Sequence, residues 1–365
     1  MRRRDLLSVF CGAAARARAA EPHFECIDTH THMHRSAPAL VAALQQAKWR
    51  CLSICDSREI GDQPSILAEM IRGTKLLHVE SKGRIAWATT FDAREFESPG
   101  FTDRVITGLQ RDFKEEALAV KIWKNIGLAI RSKSGQFLMP DSPVLTPIFA
   151  AVQKSGRTLI SHLADPDVAW QPLGGSESGY YKTHPEWHMY GRREVPSKAA
   201  ILEARDRMIA RHKGLRVIGC HLGSNEDDLA QLATRLDAHP NFAVDVASRV
   251  RFLARMDADT VRQFVTKYQD RVIYATDFVL GQSDDASAVK SLVSVHEREW
   301  NYFSGALALP EPILRKIFRE NAIRWIPGIA PAVWWCRGAG VHACAGRPRP
   351  PDTGPQMPDH VLIAR

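Results

Sequence analysis

The sequence predicts an α/β protein of the (β/α)8 class, a TIM-type barrel, over residues 23–328. Eight short runs rich in apolar and β-branched residues alternate with longer amphipathic segments along this stretch. The short runs are apolar almost throughout, which is typical of parallel strands that are covered by helices on their faces. No glycine-rich phosphate loop follows any of the runs, so a closed barrel is favoured over a nucleotide-binding open sheet.

The strands and helices are predicted from these runs in chain order. The strand segments are 24–28, 51–55, 85–91, 119–123, 158–161, 216–220, 242–246 and 272–275. Helical patterns between them include 37–48, 64–72, 143–154, 197–212, 227–237 and 259–268. In barrels of this kind the chemistry lies at the carboxyl ends of the strands. The residues at those ends are therefore the candidates for function.

The net charge of +8 comes mostly from the two ends of the chain. Residues 1–20 carry +4 and residues 329–365 carry +2, which leaves +2 for the long segment between them. That segment shows no basic stripe with interleaved aromatic residues, so nucleic-acid binding is not expected. No apolar run approaches the ~20 residues that span a bilayer, so no membrane span is expected either. The expected partner is a small-molecule substrate, and a homo-oligomer is compatible with the sequence.

Both ends differ in composition from the predicted barrel. Residues 1–20 begin with arginines, continue with a short apolar stretch and end in small residues, which is the layout of a secretory signal. The paired arginines resemble a twin-arginine export signal and predict a periplasmic or secreted protein, the alternative being a cytoplasmic one. Residues 329–365 are rich in Pro and Gly without periodicity, and we interpret them as a disordered or extraneous tail.

Histidines collect at the predicted strand ends. After the first run, His30, His32 and His34 alternate with other residues, and alternate residues of a strand share a face. Further candidates lie at the ends of later runs, namely Lys121, His162, His221, Asp245 and Asp277. Neutral imidazoles together with a carboxylate suit zinc, and also manganese or iron. His30, His32, His162 and His221, together with Asp277, at one end of a barrel therefore predict a divalent metal site.

The sequence resembles the amidohydrolase superfamily at these same residues, specifically the amidohydrolase-related (amidohydrolase 2) branch. The matching motifs are Ile27-Asp28-Thr29-His30-Thr31-His32, Ile160-Ser161-His162, Gly219-Cys220-His221-Leu222-Gly223, Ala275-Thr276-Asp277 and the closing helix 314–322. The resemblance covers about residues 23–328. It implies a divalent-metal barrel whose members hydrolyse amides, esters or lactones, or decarboxylate aromatic and unsaturated acids.

The chemistry of the side chains predicts roles for individual residues, and for His221 the resemblance adds to it. The expected metal ligands are His30, His32, His162 and Asp277. The metal would lower the pKa of a bound water and polarise a substrate oxygen, and Asp277 would also take the proton as water attacks. His221 is expected to be either another metal ligand or a general acid/base, and the resemblance favours the catalytic role. The expected supporting or substrate-binding residues are Asp28, Asp245, Arg249 and His34, with the two aspartates orienting ligand imidazoles.

Lys121 bears on the number of metal ions. In binuclear members of the superfamily a lysine of the fourth strand is carboxylated and bridges two metals, and Lys121 lies about where that lysine would be needed. The alternatives are a lysine that pairs with a barrel carboxylate or one that binds a substrate carboxylate. We expect one metal ion per chain, most readily zinc.

A long segment follows His162, from about residue 164 to residue 196, and we call it the lid segment. It is far longer than ordinary connections between a strand and the next helix, and it carries several Trp, Tyr and His residues. A lid that excludes water and packs on an apolar or aromatic substrate is predicted. The alternatives are a structural excursion or a contact with a partner chain.

Three functions remain open from the sequence. The leading hypothesis is a metal-dependent hydrolase of an amide, ester or lactone. The second is a metal-dependent nonoxidative decarboxylase, for which the cations available to hold a substrate carboxylate are Lys121, Arg192, Arg193 and Arg249. The third is an exported metal-binding barrel without turnover, and the combination of strand-end histidines with Asp277 argues against it.

Overall fold

Parallel strands form the centre of the molecule in a computed structural model that describes residues 22–174, 179–282 and 284–331. The strands are β1 (Cys26–His32), β2 (Trp49–Ile54), β3 (Ile85–Thr90), β4 (Ala119–Ile122), β5 (Thr158–Ser161), β6 (Arg216–Gly219), β7 (Phe242–Asp245), β8 (Val272–Ile273) and β9 (Phe278–Val279). They form one sheet in the order β8-β7-β6-β5-β4-β3-β2-β1-β9, and each neighbouring pair is parallel.

The eighth strand of the barrel is interrupted. Its first part, β8, pairs with β7, and its second part, β9, pairs with β1. Across the break the Thr29 amide donates to the Tyr274 carbonyl at 3.2 Å, and the Asp277 amide donates to the His30 carbonyl at 2.8 Å. These hydrogen bonds close the sheet on itself, so the prediction of a (β/α)8 barrel is confirmed.

Helices connect the strands on the outside of the barrel. They are α1 (Pro38–Gln46), α2 (Leu67–Glu80), α3 (Phe101–Lys114), α4 (Asn125–Leu128), α5 (Thr146–Lys154), α6 (Gly179–Thr183), α7 (Lys198–Arg211), α8 (Cys220–Gly223), α9 (Leu229–Ala238), α10 (Val250–Leu253), α11 (Ala258–Lys267), α12 (Asp285–Asn301), α13 (Glu311–Arg315) and α14 (Asn321–Trp325). Short 3-10 turns span Pro143–Leu145, Asp167–Trp170 and Pro185–Trp187, and π turns span Tyr302–Ala306 and Lys316–Glu320.

Side-chain caps define where four of the long helices begin. The N-cap residues Ser197, Asp228, Asp257 and Asp284 each accept a hydrogen bond from the backbone amide three residues later. Such caps satisfy backbone donors that have no partner inside the helix. The predicted helix starts at 197, 227 and 259 therefore lie within two residues of the observed starts.

The barrel interior is a small apolar cluster that is separate from the larger core between strands and helices. Inward-facing residues of all eight barrel strands form it, and Trp325, Ile326 and Ile329 pack against it from the C-terminal part of the chain. These three residues follow or end α14, on the opposite side of the apolar cluster from the strand-end polar residues. The polar candidates of the sequence analysis lie at the other, carboxyl end, where the loops leave room for a pocket.

The boundaries of the predicted domain can be compared with the packed unit. Ile329 is buried, and the compact unit extends to Ala330, so the packed chain continues two residues beyond the predicted end at 328. The predicted export signal in residues 1–20 and the remainder of the predicted tail, residues 332–365, lie outside the described residues. Within the described part of the chain, no helix combines the length and apolar character that crossing a membrane requires.

Candidate metal centre

Two histidines of β1 meet an aspartate from the break in the eighth strand. Asp277 Oδ1 lies 3.5 Å from His30 Nε2 and 3.4 Å from His32 Nε2. His221, the second residue after β6, joins them, since one ligand atom each of His30, His221 and Asp277 lies within 4.8 Å of the others. The three imidazoles are buried, whereas the Asp277 side chain is 29% exposed. The site therefore combines buried imidazole nitrogens with a carboxylate that faces the pocket.

Hydrogen bonds define the tautomers of these three imidazoles. His30 Nδ1 lies 2.9 Å from Asp245 Oδ2, His32 Nδ1 lies 3.0 Å from the Ile54 carbonyl, and His221 Nδ1 lies 2.8 Å from the Ala247 carbonyl. A carboxylate and a carbonyl can only accept, so each Nδ1 carries the proton and donates it. The three Nε2 atoms are left with lone pairs, which is the form in which imidazole binds a metal.

The resulting set of atoms fits a divalent cation. A lone pair on Nε2 repels a carboxylate oxygen at 3.4 to 3.5 Å unless a cation lies between them, and here two such lone pairs face Asp277 Oδ1. Three nitrogens and one oxygen suit zinc, manganese or iron. A second group, His30 with Cys220 and Asp245, is less suitable because burial raises the pKa of the Cys220 thiol and hydrogen bonds already engage the Asp245 oxygens.

The ionisation states agree with this set. Burial, and then the charge of Lys121, lowers the pKa of His30, while burial and the neighbouring His162 lower the pKa of His221. For Asp277, burial favours the neutral form, but the adjacent imidazole of His32, followed by those of His221 and His30, outweighs it and holds the pKa well below its usual range. Imidazoles that stay neutral and a carboxylate that stays ionised are what metal binding near neutral pH requires.

Two residues of the site have left-handed backbone. His221 has φ of 58° and Asp277 has φ of 64°, a region that residues other than glycine occupy at a cost of roughly 1–3 kcal/mol. Hydrogen bonds hold both in place. The His221 amide donates to Asp245 Oδ1 at 2.6 Å, and the Asp277 amide donates to the His30 carbonyl. Strain of this kind is concentrated at functional sites, and here it aims two polar side chains into the barrel mouth.

Comparison with known proteins agrees with this geometry. The family model described as Amidohydrolase matches residues 127–327, more than half of the chain. This chain belongs to the amidohydrolase family. Curated proteins of known function yield no match to it. The protein is an enzyme of a superfamily that generally depends on a metal, and its resemblance to that superfamily is confirmed.

Solved structures support the barrel fold of this amidohydrolase. The 2,6-dihydroxybenzoate decarboxylase from Rhizobium is similar with a TM-score of 0.51 and 13% identity, over 83% of this chain and 98% of that chain. A 2,6-dihydroxybenzoate decarboxylase in complex with 2,6-dihydroxybenzoate is similar with a TM-score of 0.50 and 14% identity, over 83% of this chain and 99% of that chain. At such low identity the likeness to these decarboxylase structures concerns the fold alone.

Two buried aspartates support the centre in different ways. Asp245 bonds the His30 ring and the His221 amide. Asp28, which was expected to orient a ligand imidazole, instead accepts from the backbone amides of His30 and Thr276, from Thr276 Oγ1 at 2.6 Å, and from His296 Nε2 at 3.1 Å. The expectation for Asp28 is corrected accordingly, because its carboxylate secures the backbone on both sides of the barrel seam. His296, on α12, carried no signal in the sequence.

The contacts of His162 and His34 in the amidohydrolase differ from those of the three imidazoles described above. His162 Nε2 lies 3.3 Å from Asp165 Oδ1, and its ring centre is 4.4 Å from that of His221. Burial lowers the pKa of His162 to about 4, so the ring is neutral, and its role as a ligand stays a prediction. His34 lies beyond the end of β1, where its Nδ1 bonds Thr74 Oγ1 at 2.7 Å. It does not line the pocket described below, contrary to the expected substrate contact.

Lys121 points into the barrel beneath the predicted ligands. Its Nζ lies 2.9 Å from Cys220 Sγ and 3.4 Å from His30 Nε2, and the side chain is buried. These contacts do not pair Lys121 with a barrel carboxylate, which was one of the alternatives for this lysine. Whether the amidohydrolase holds one metal ion or two stays a prediction.

A pocket of about 270 Å³ lies over the centre at the mouth of the barrel. Its lining includes the predicted site residues His30, His32, Lys121, His162, His221, Arg249 and Asp277. The lid segment contributes Asp165, Pro166, Val168, Tyr180 and Tyr181 to the same pocket. Arg192 and Arg193 do not line it, and Arg192 instead donates to the Glu186 carbonyl at 3.1 Å. A larger groove of about 930 Å³ beside α2 and α3 contains none of these residues, so the smaller pocket is the candidate substrate site.

Proposed function

We propose that this amidohydrolase hydrolyses an amide, ester or lactone bond in a small organic substrate. The observation that carries the proposal is Asp277, an ionised carboxylate that faces both the pocket and the Nε2 lone pairs of His30 and His32. A divalent metal held by these three residues, most readily zinc, would polarise a substrate oxygen and lower the pKa of a bound water.

Asp277 is the proton acceptor in this proposal. Its Oδ1 faces the imidazoles, while its Oδ2 lies 3.2 Å from Ser248 Oγ, which can donate to it. The two oxygens are thus oriented separately, one toward the metal ligands and one toward the pocket wall. A carboxylate oriented in this way can take a proton from attacking water at a fixed position.

His162 and His221 supply the remaining nitrogen ligand and the acid/base partner. Their rings are in edge contact, both are neutral, and both line the pocket. The His221 Nε2 lone pair belongs to the same ligand group as His30 and Asp277, which supports His221 as a ligand. The family resemblance instead favours His162 for that position. Measuring the metal content of His162→Ala and His221→Ala variants separates the two assignments.

A decarboxylase is the second candidate, and the charge of the pocket is compatible with it. Arg58, Lys121, Lys124, Arg249 and Arg251 line the pocket against the carboxylates of Asp56, Asp165 and Asp277. This cationic excess suits a substrate that carries a carboxylate. A hydrolase of an acidic lactone or ester would use the same charges, so the excess supports an acidic substrate under either reaction.

The test begins with metal analysis of the purified protein. The metal-restored enzyme is then screened against lactones, amides, esters and aromatic acids, with formation of the carboxylic acid product, by chromatography, and carbon dioxide release followed separately. Hydrolysis gives acid without carbon dioxide, and Asp277→Asn abolishes it. Carbon dioxide release from an aromatic acid would replace the leading proposal by the second candidate. Protein that binds no divalent metal would contradict both.

A further inference from the structure

Lys124, two residues after β4, lies in an aromatic cage at the barrel mouth. Its side chain is buried, and its ammonium lies 2.6 Å from Asp165 Oδ2. The same Nζ is 5.2 Å from the ring centre of Trp123, 5.0 Å from that of Tyr180 and 4.7 Å from that of Trp187. A cation over three aromatic faces gains a favourable interaction with each of them, and the gain is largest where water is excluded.

The cage joins two parts of the molecule. Trp123 and Lys124 belong to the barrel, whereas Tyr180, in α6, and Trp187, in a 3-10 turn, belong to the lid segment. The Trp123 and Trp187 rings also meet edge to face at 4.8 Å. The Lys124 ammonium is therefore one point at which the lid segment contacts the barrel, next to the substrate pocket.

Asp165 connects this attachment to the catalytic centre. One oxygen of its carboxylate bonds Lys124, and the other lies 3.3 Å from His162 Nε2. Because the carboxylate accepts, His162 Nε2 carries the proton and the Nδ1 lone pair is left on the other side of the ring. Displacement of the Lys124 ammonium would release the carboxylate that sets this tautomer.

We propose that Lys124 is a positioning residue that couples closure of the lid segment to the orientation of His162. Closure places the rings of Tyr180 and Trp187 on the ammonium, and the same ammonium holds Asp165 against His162. An ordinary buried ion pair would need only Asp165, and the two rings from the lid segment go beyond that requirement. The inference rests on the proposed function only in taking the pocket under the lid segment as the substrate site.

Hydrogen exchange of the full-length protein without substrate tests the attachment. In Lys124→Met, exchange of peptides within 179–190 should rise about tenfold, as expected for loss of cation–π contacts to a buried ammonium. Peptides from α11 should exchange as in the wild type. Lys124→Arg keeps the charge and should restore the lid segment to near wild-type exchange. Lys182→Met, which removes an exposed lysine of the same segment, is the matched control and should change nothing.

A second set of variants separates the attachment from general destabilisation. Lys124→Met leaves the Asp165 carboxylate buried without its cation, so Trp187→Leu and Tyr180→Leu are made as variants that retain the ion pair. Both should raise exchange in 179–190 while α11 is unaffected. An equal rise in α11, or no rise in 179–190 in any of these variants, would overturn the proposal.

The link to His162 has its own measurement. The ring ¹⁵N shifts of histidine-labelled protein, assigned with His162→Asn, should report Nε2–H in the wild type and a different tautomer balance in Lys124→Met, restored in Lys124→Arg. Unchanged shifts in Lys124→Met would remove this part of the proposal. Neither experiment requires turnover, so a wrong substrate or reaction class would leave the result standing, and a failed attachment would leave the proposed function untouched.

Discussion

The Asp245→Asn substitution tests how the ligand imidazoles are prepared for a metal. Asp245 Oδ2 accepts from His30 Nδ1 at 2.9 Å, and Oδ1 accepts from the amides of His221 and Ala247 at 2.6 and 3.2 Å. An asparagine has one accepting oxygen and one donating NH2 group. If the oxygen keeps the two backbone bonds, the NH2 group faces His30 Nδ1. The reverse arrangement would place NH2 against two amide donors, so the first is favoured.

The expected consequence is a change of the His30 tautomer. An NH2 group that donates to Nδ1 requires the proton of the neutral ring to lie on Nε2, where it points toward Asp277 Oδ1, 3.5 Å away. A protonated Nε2 cannot bind a metal. Substitutions of this kind cost about 10- to 100-fold in metal affinity, which corresponds to about 1.4–2.7 kcal/mol.

Metal affinity is measured by competition with a chromophoric chelator, starting from metal-free protein. Asp259→Asn removes an exposed carboxylate of α11 and serves as the control for the loss of one negative charge. Urea unfolding of the metal-free proteins checks that the fold is retained. Zinc affinity of Asp245→Asn within about twofold of the wild type, well short of the tenfold minimum, would refute the tautomer argument.

Three further predictions concern turnover and stability. Asp277→Asn should abolish activity under either proposed reaction, as measured by product formation with restored metal, and retained activity would remove Asp277 as the base. Glu299 is buried, and burial, followed by the charge of Asp28, raises its pKa from 4.5 to about 8. Because Glu299 ionises at a lower pH in the unfolded chain than in the folded protein, the free energy of unfolding falls as the pH rises from 4.5 toward 8. In urea unfolding, the free energy of unfolding of Glu299→Gln minus that of the wild type should therefore increase by about 4 kcal/mol from pH 5 to pH 8.5. A difference that does not change with pH would contradict this pKa. Gly219→Ala would bring a Cβ within 2.7 Å of the Phe242 ring and 2.8 Å of the Gly223 Cα, and a loss of about 1–3 kcal/mol is expected in the same assay. A neutral effect would show that both the ring and the backbone at Gly223 can move.

The alternation of apolar runs and amphipathic segments was sufficient to predict the barrel. Apolar residues recur with a different period in a helix than in a strand, and parallel strands need helical connections that cover the sheet. Strand starts such as Thr158 and Arg216 were predicted at the observed residues. The break in the eighth strand was not predicted, since the run 272–275 continues in sequence although β8 ends at Ile273. There the chain leaves the ladder so that Tyr274 bonds the Ile317 carbonyl, a contact between distant segments that no local pattern contains.

The candidate site also contains some residues that the sequence could predict and others that it could not. Residues directly at strand ends could be listed from the sequence because strand ends meet at one face of a barrel. The alternation that placed His30, His32 and His34 on one face fails for His34 because β1 ends at His32. His296 could not be found because it reaches Asp28 across 268 positions of sequence. The left-handed backbone of His221 likewise depends on Asp245, which follows it by 24 positions.

Asp28 and Asp245 explain why the site can combine strain with burial. An isolated buried carboxylate is costly, by several kcal/mol, unless donors surround it. Here the donors are backbone amides of the residues that carry the site, those of His30 and Thr276 for Asp28 and that of His221 for Asp245. Each carboxylate therefore stabilises backbone next to a strained residue, and the strained backbone in turn supplies the donors that make burial of the charge tolerable. Positions set by such mutual constraints do not depend on a bound ligand, which is the condition for a site whose dipoles and lone pairs are oriented before the substrate arrives.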